Sequence, residues 1–195
     1  NDIGIWPWPR EIHAQVLDQL TQAGATDVFF DFDFAFLSEP AGDAALVAAL
    51  QRAGGTTFLP VFAQPERAGS TGTVTNSPAA IFEQFSWPAL VNVFADTTGI
   101  VRQYPFGISL DGTTMPSIGS LLSGVAGPVD TQFSINFAFD PADIPTYSYR
   151  RVLSGEIPPD AFRDRSVIVG AYALELRDNF AVPVYGIVPG PLVHA

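Results

Sequence analysis

The stretch RDRSVIVGAYA, residues 163–173, decides the predicted fold. A charged entry leads into the apolar, β-branched run at residues 167–169, which stops at Gly170. This pattern is typical of a buried strand in a parallel sheet that delivers the chain to a turn at its carboxyl end. Turn-forming residues follow, among them Asp178 and the pair Pro189 and Gly190, so the segment after the strand is predicted to be loop.

The first sixty residues are predicted to alternate helices with strands. Apolar residues at helical spacing indicate a helix between Pro9 and Gly24, and a second helix over residues 43–53. Residues 27–34 and 56–62 are predicted strands, the second of them bent or ended by Pro60. The order helix, strand, helix, strand favours a parallel α/β sheet.

The remaining segments complete the prediction of one α/β domain over residues 1–195. Residues 64–86 are rich in Gly, Ser, Thr and Pro and are predicted to form a long loop. The turn at residues 96–99 is predicted to join two strands as a hairpin. Further elements are predicted at 116–122 (helix), 133–137 (strand) and 147–155 (helix). The predicted architecture is a three-layer sandwich, with a mostly parallel central sheet and an inserted antiparallel hairpin.

Composition excludes several classes of function. The net charge of −11 and the pI of about 4.3 disfavour binding to nucleic acid or to an anionic membrane face. All nine basic residues are arginine, which excludes a P-loop lysine and a Schiff-base lysine. Cysteine is absent, so disulfides, thiolate catalysis and cysteine-bound metals are excluded as well. No Gly-x-Ser-x-Gly elbow and no zinc-binding histidine pair occurs.

Several motifs occur in an order that is typical of one family. The chain opens with WPWPR at residues 6–10, and residues 96–102 follow the pattern Asp-x-x-Gly-x-x-Arg. A tyrosine-rich helix with Val-Leu-x-Gly at 152–155 precedes the last strand, its Gly-Ala turn, and a closing Pro-Gly ahead of His-Ala. This arrangement resembles the CHASE type-2 domain across almost the whole chain. Val182 stands where that family usually has threonine.

The resemblance implies a sensory module outside the membrane of a bacterial receptor, either periplasmic or at the cell surface. It implies a domain that is not itself an enzyme and holds no cofactor and no metal. The partner domain in the cytoplasm would be an adenylate cyclase, a diguanylate cyclase or phosphodiesterase, or a histidine kinase. Membrane helices would flank the fragment, a first strand would precede Asn1, and a homodimer would be compatible with this role.

Polar residues that follow the predicted strands are the candidates for binding a small, unidentified ligand. Ligands of open parallel sheets bind beyond the carboxyl ends of the strands. If the strands that lead to Asp31, Asn136 and Gly170 are neighbours, then Asp33 and Asp178 line the same cleft. Their mutual repulsion would require an arginine or a cation, and a hard cation such as Ca²⁺ suits carboxylates. The candidate ligand-binding residues are Asp31, Asp33, Arg102, Asn136 and Asp178, with Arg177 as a second candidate arginine.

Three alternatives remain open for these residues. Asp31-x-Asp33 at the end of an apolar strand also resembles the start of haloacid-dehalogenase phosphatases, in which one aspartate attacks phosphorus. Ala35 and the lack of lysine count against that alternative. The acids alternatively cap their own turns, and the domain alternatively serves for dimerisation without a ligand. Trp6 and Trp8 are predicted either to pack in the core or to line a ligand site, and His13 is predicted to be structural.

Overall fold

The structure is a computed structural model that describes residues 3–4, 6–65, 73–110, 112–158, 160–172 and 178–195. The helices in these ranges are α1 (Arg10–Gln22), α2 (Pro40–Ala53), α3 (Ala80–Glu83), α4 (Ile118–Ser123), α5 (Tyr149–Leu153) and α6 (Gly190–His194). The first strands are β1 (Asp27–Phe30), β2 (Thr57–Pro65), β3 (Thr73–Asn76), β4 (Trp87–Leu90), β5 (Gln103–Pro105) and β6 (Gly107–Leu110). The later strands are β7 (Thr113–Pro116), β8 (Gln132–Ser134), β9 (Ser166–Val169), β10 (Asn179–Val182) and β11 (Gly186–Pro189).

The central sheet has five strands, in the order β3-β2-β1-β9, and β4 also pairs with β2. Strand β1 runs parallel to both of its neighbours, with Val28 opposite Thr57 in β2 and opposite Val167 in β9. Strand β3 runs antiparallel to the end of β2. The predicted α/β class with a mostly parallel central sheet is therefore confirmed, and the strand at 166–169 that decided it lies directly beside β1.

Backbone contacts divide the chain into two compact units, and each has its own core. The first unit contains residues 1–59, 78–87 and 145–169. Its helices α1 and α2 pack on each other, because both carry apolar side chains at helical spacing. Strand β1 adds three buried residues to this core, which is why its sequence is apolar from Val28 to Phe30. Completely buried side chains of the three elements include Leu17, Leu46, Leu50, Phe29 and Phe30.

The second unit contains residues 60–77, 88–144 and 170–195 and is built from antiparallel pairs. These pairs are β5 with β8, β6 with β7, and β10 with β11. Tyr104 in β5 is buried, and its hydroxyl lies 2.6 Å from Nδ1 of the buried His194. Ser117 caps α4 by accepting a hydrogen bond from the backbone N–H of Ser120, at 3.2 Å.

Three predicted boundaries in the first half of the chain are wrong. Strand β1 ends at Phe30, four residues earlier than predicted, although burial still alternates afterwards, with Phe32 and Phe34 buried. Strand β2 continues through Pro60. Proline is tolerated there because residue 60 lies between the residues that pair with β1 and those that pair with β3. The predicted loop 64–86 contains β3 and α3, because its Thr-rich part pairs with the end of β2.

Two predictions for the second half also need correction. The turn at residues 96–99 exists, and Gly99 donates its N–H to the carbonyl of Asp96 at 2.9 Å. It does not connect a β-hairpin, because β4 pairs with β2 whereas β5 pairs with β8. The predicted strand 133–137 is β8, and it pairs antiparallel with β5 in a separate two-stranded sheet. It is thus not the parallel neighbour of β1 that the predicted cleft assumed.

Candidate ligand-binding site

The carboxyl end of β1 carries the two acids that the sequence singled out. Asp31 is partly exposed, and its N–H donates to the carbonyl of Val169 at 2.8 Å, which extends the β1–β9 ladder by one residue. Asp33 is exposed, and its Oδ1 accepts the backbone N–H of Ala35 at 2.8 Å. Such a bond to the residue two positions later is the turn that aspartate forms readily. Asp33 therefore stabilises its own turn, as the capping alternative predicts.

Arg10 reaches this turn from the first position of α1. Its Nη2 atom donates to the carbonyl oxygen of Asp33 at 3.1 Å and to that of Phe36 at 3.4 Å. The guanidinium lies over the ring of Phe34, 4.3 Å from its centre, in a cation–π arrangement. Burial lowers the pKa of Arg10, and the nearby Asp43 and Asp33 oppose that shift. The turn after β1 is thus fixed by an arginine that binds its backbone.

Arg10 was not among the predicted site residues, although the sequence contained a signal for it. A cation at the first position of a helix is disfavoured, because the helix dipole places positive charge there. Nearby acceptors therefore stabilise an arginine directly after Pro9, and the carbonyls of the β1 turn are such acceptors. Sequence spacing alone does not show which carbonyls these are.

An aromatic cluster surrounds the buried His13 in the first unit. Its Nδ1 atom lies 2.7 Å from the hydroxyl of Tyr149, and its ring contacts those of Phe32 and Phe34. Burial, and secondarily the charge of Arg10, lowers the pKa of His13 from 6.5 to about 4. Burial also raises the pKa of Tyr149 above its usual value. At neutral pH the pair is uncharged, so His13 has a structural role, as predicted.

Trp6 and Trp8 cover the outer side of this cluster. Trp6 packs 4.9 Å from the ring of Phe32, and Trp8 packs 4.8 Å from the ring of Tyr149, measured between ring centres. Trp6 is exposed and Trp8 is half-buried. One face of each side chain packs on the core, as the first alternative predicts, whereas the lining of a ligand site by these tryptophans stays a prediction.

The other three candidate residues belong to the second unit. Arg102 pairs with the carboxylate of Asp96 and donates to the hydroxyl of Thr98 at 3.1 Å. Asn136 is exposed, and its Oδ1 accepts the N–H of Ala138 at 3.0 Å. Both side chains are therefore engaged in their own turns.

Asp178 is half-buried and packs against the start of α6. Its carbonyl accepts the N–H of Gly190 at 2.9 Å, and its carboxylate occupies the space that a Cβ atom on residue 190 would need. Burial raises the pKa of Asp178. Gly190 is consequently required for this close approach.

The structure tests only part of the predicted cleft that the five candidate residues would line. The strands that lead to Asp31 and Gly170 are parallel neighbours, as predicted. Asp31 and Asp33 lie in the first unit, whereas Arg102, Asn136 and Asp178 lie in the second, so their common cleft stays a prediction. Arg177 is outside the described residues. Across the ranges that the structure describes, no three acidic or histidine side chains are grouped so that they could hold a metal ion.

The two histidines of the chain are both buried and held in the neutral form. Each of the two histidines is bonded to a tyrosine hydroxyl, and burial lowers the pKa of both to about 4. A histidine with so low a pKa is a weak general base at neutral pH. In the described part of the chain, the first unit thus combines a surface of aromatic side chains with a half-buried arginine.

Comparison with known proteins identifies the class of this domain. The family model described as CHASE2 domain matches residues 1–195, the full length of the chain. The chain belongs to this family. CHASE2 domains are extracytoplasmic sensor domains and are not catalytic themselves. No curated protein and no solved structure matches the chain. None of the helices in the described ranges is long and apolar enough to cross a membrane.

Proposed function

We propose that this chain is the ligand-binding, sensory part of a bacterial transmembrane receptor. It binds a small molecule outside the cytoplasm, in the periplasm or at the cell surface. Apolar helices that flank the domain in the full-length protein anchor it in the inner or plasma membrane. The observation that carries the proposal is the match of the CHASE2 family model to all 195 residues.

The receptor transmits the binding event to a catalytic domain in the cytoplasm. That output domain is an adenylate cyclase, a diguanylate cyclase or phosphodiesterase, or a histidine kinase. Signalling through a homodimer suits such enzymes, since a change in one sensor domain can then alter the arrangement of two catalytic partners. The candidates for recognition of the ligand are Asp31 and Asp33 in the first unit and Arg102, Asn136 and Asp178 in the second.

A phosphatase-like hydrolase that uses Asp31 and Asp33 is the competing function. The observation in its favour is the position of both acids directly after a parallel strand, next to the parallel neighbour β9. The bond from Ala35 to Asp33 weighs against it, because that carboxylate already serves the turn. A nucleophilic aspartate also requires a cation beside the transferring phosphoryl group.

A turnover assay separates binding from hydrolysis. We expect the chain to hydrolyse p-nitrophenyl phosphate no faster than buffer does, with or without Mg²⁺. The matched variants are Asp31→Asn and Asp27→Asn, which alter the same residue type at opposite ends of β1. Hydrolysis that is lost in Asp31→Asn and kept in Asp27→Asn would replace the proposed binding role with the enzymatic one.

A further inference from the structure

The hairpin of β10 and β11, in the second unit, exposes apolar side chains. Its strands pair antiparallel and are joined by residues 183–185. Val182 and Val188 lie on the buried face, whereas Ile187, on the opposite face, is 63% exposed. Val184, at the tip, is 82% exposed. The solvent face of an antiparallel pair ordinarily carries polar residues, so Val184 and Ile187 together form an unusual hairpin surface.

The turn at the tip holds Val184 in a strained conformation. The N–H of Tyr185 donates to the carbonyl of Pro183 at 2.8 Å, and φ of Val184 is 70°. These are the features of a classic γ-turn, which is rare and strained. The other non-glycine residues with positive φ in the described ranges are Asp130 and Asp164, and aspartate tolerates this conformation better than valine does. Strain of this kind is concentrated at binding and switch regions, which indicates that presentation of Val184 serves binding.

The segment that forms the hairpin and α6 carries no charge, although the whole chain has a net charge of −11. Residues 179–195 contain no aspartate, glutamate, lysine or arginine, and His194 is buried and neutral. The hairpin can therefore enter an apolar phase without the desolvation of a charge, which would be costly. Tyr185, beside Val184, has an apolar ring and a polar hydroxyl, a combination that is enriched where a membrane meets water.

The hairpin is also close to the end of the chain. Helix α6 follows β11 directly and packs against both strands of the hairpin. One strand and one short helix separate Val184 from Ala195, so the two residues are at most roughly 25 Å apart. In the proposed receptor a membrane helix follows the domain, and the hairpin surface is then held within this distance of the bilayer. Such a tether gives an effective concentration of about millimolar, so a weak affinity for lipid is enough.

We infer that the hairpin surface is a membrane-docking site, which inserts Val184 and Ile187 into the outer leaflet of the bilayer that anchors the receptor. The lipid it fits is a phospholipid without net charge, since the hairpin offers no basic residue to an anionic headgroup. A second copy of the chain fits less well, because two chains with a net charge of −11 repel each other. The inference rests on the proposed function in one respect, the anchor that holds the domain beside the bilayer.

The test places a fluorescent label beside the tip and tethers the chain to vesicles. The chain has no cysteine, so Ile187→Cys can be labelled specifically with nitrobenzoxadiazole, whose fluorescence rises in apolar surroundings. A hexahistidine tag after Ala195 holds the chain on phosphatidylcholine vesicles that contain a nickel-chelating lipid. We expect the fluorescence to rise about twofold or more on tethering, and to fall again when imidazole releases the chain. Unchanged fluorescence on tethering would overturn the inference.

A second labelling position supplies the matched control. Phe139 belongs to the same unit as Ile187 and is similarly exposed, at 70%. Phe139→Cys with the same label should show no rise on tethering, because the surface that docks is the hairpin. Equal rises at residues 139 and 187 would mean that the label itself enters the bilayer, and would contradict the assigned location.

Val184→Asp, in the chain labelled at residue 187, tests the contribution of the tip. Aspartate tolerates positive φ, so the turn is retained, whereas its charge opposes entry into lipid. We expect the rise to fall by about half or more. Val125→Asp adds the same charge at another exposed valine of the second unit and should leave the rise intact. Equal effects of the two substitutions would contradict the role of Val184.

Two further outcomes separate this inference from its alternatives. Fluorescence that rises without vesicles, and increases with protein concentration, would assign the hairpin surface to a second copy of the chain and would overturn the inference. The tag supplies the anchor in this experiment, so its result does not depend on where the native receptor lies. A failure here therefore leaves the receptor proposal in place, and that proposal is tested separately by the location of the full-length protein.

Discussion

Lowering the pH from about 7 to about 4 is expected to reduce the free energy of unfolding by several kcal/mol, because both histidines are buried in the neutral form. In the folded chain the pKa of His13 and that of His194 are each about 4, below the usual 6.5. Between these two values the unfolded chain binds a proton on each imidazole and the folded chain does not. The stabilisation is therefore complete above pH 6.5 and is lost as the pH falls towards 4.

The expected loss in the free energy of unfolding follows from the lowered pKa of the two histidines. A shift of one pKa unit corresponds to about 1.4 kcal/mol, so each histidine contributes about 3 kcal/mol over this range. Urea unfolding at a series of pH values measures how steeply the free energy of unfolding changes with pH. The variants His13→Gln and His194→Gln should each remove part of this slope, and the double variant should retain only the slope that arises from carboxylates. Equal slopes in the wild-type chain and the double variant would show that neither histidine is held neutral by burial.

Phe34→Ala is expected to destabilise the first unit by about 3–5 kcal/mol, the usual cost of removing a buried aromatic ring. Phe34 is 1% exposed, contacts the rings of Phe30 and Phe82, and carries the guanidinium of Arg10 on its face. Its loss would leave a cavity and would also remove the cation–π contact that positions Arg10 on the β1 turn.

Phe36→Ala is the matched control for this prediction. Phe36 lies two residues further along the same loop, and its side chain is 73% exposed. The same substitution there should change the free energy of unfolding by no more than about 0.5 kcal/mol. Chemical denaturation of both variants gives the comparison. Similar losses at the two positions would mean that the ring of Phe34 does not belong to the core.

The sequence predicted those parts of the fold that depend on local patterns. The apolar runs at 167–169 and 28–30 identified two buried parallel strands, because strands buried on both faces require continuous apolar residues. The turn at 96–99 was predicted from its Asp and Gly. The partners of the strands around that turn were predicted wrongly, since pairing between distant strands is decided by tertiary packing and leaves no trace in a short window.

Prediction of the site was also limited to what local sequence patterns show. Asp31 and Asp33 were recognised because they follow a strand, but the role of Asp33 in its turn depends on the backbone path at Ala35. Arg10 was missed because it donates to the carbonyl of Asp33, which is distant in sequence. Asp43 was missed because its bond with the N–H of Ser38 depends on the backbone path at the start of α2. The residue types therefore indicated which positions carry polar side chains. Their hydrogen-bond partners, which decide the role of each side chain, follow from the tertiary structure.

The location of the domain outside the cytoplasm is the central claim, and a reporter fusion tests it most directly. The gene that encodes the full-length receptor is truncated after Ala195 and fused either to alkaline phosphatase or to green fluorescent protein, in a bacterial host. Alkaline phosphatase requires disulfides that form only outside the cytoplasm, whereas the fluorescent protein folds inside it. We predict high phosphatase activity and no fluorescence. Fluorescence without phosphatase activity would place the domain in the cytoplasm and would contradict the proposed receptor.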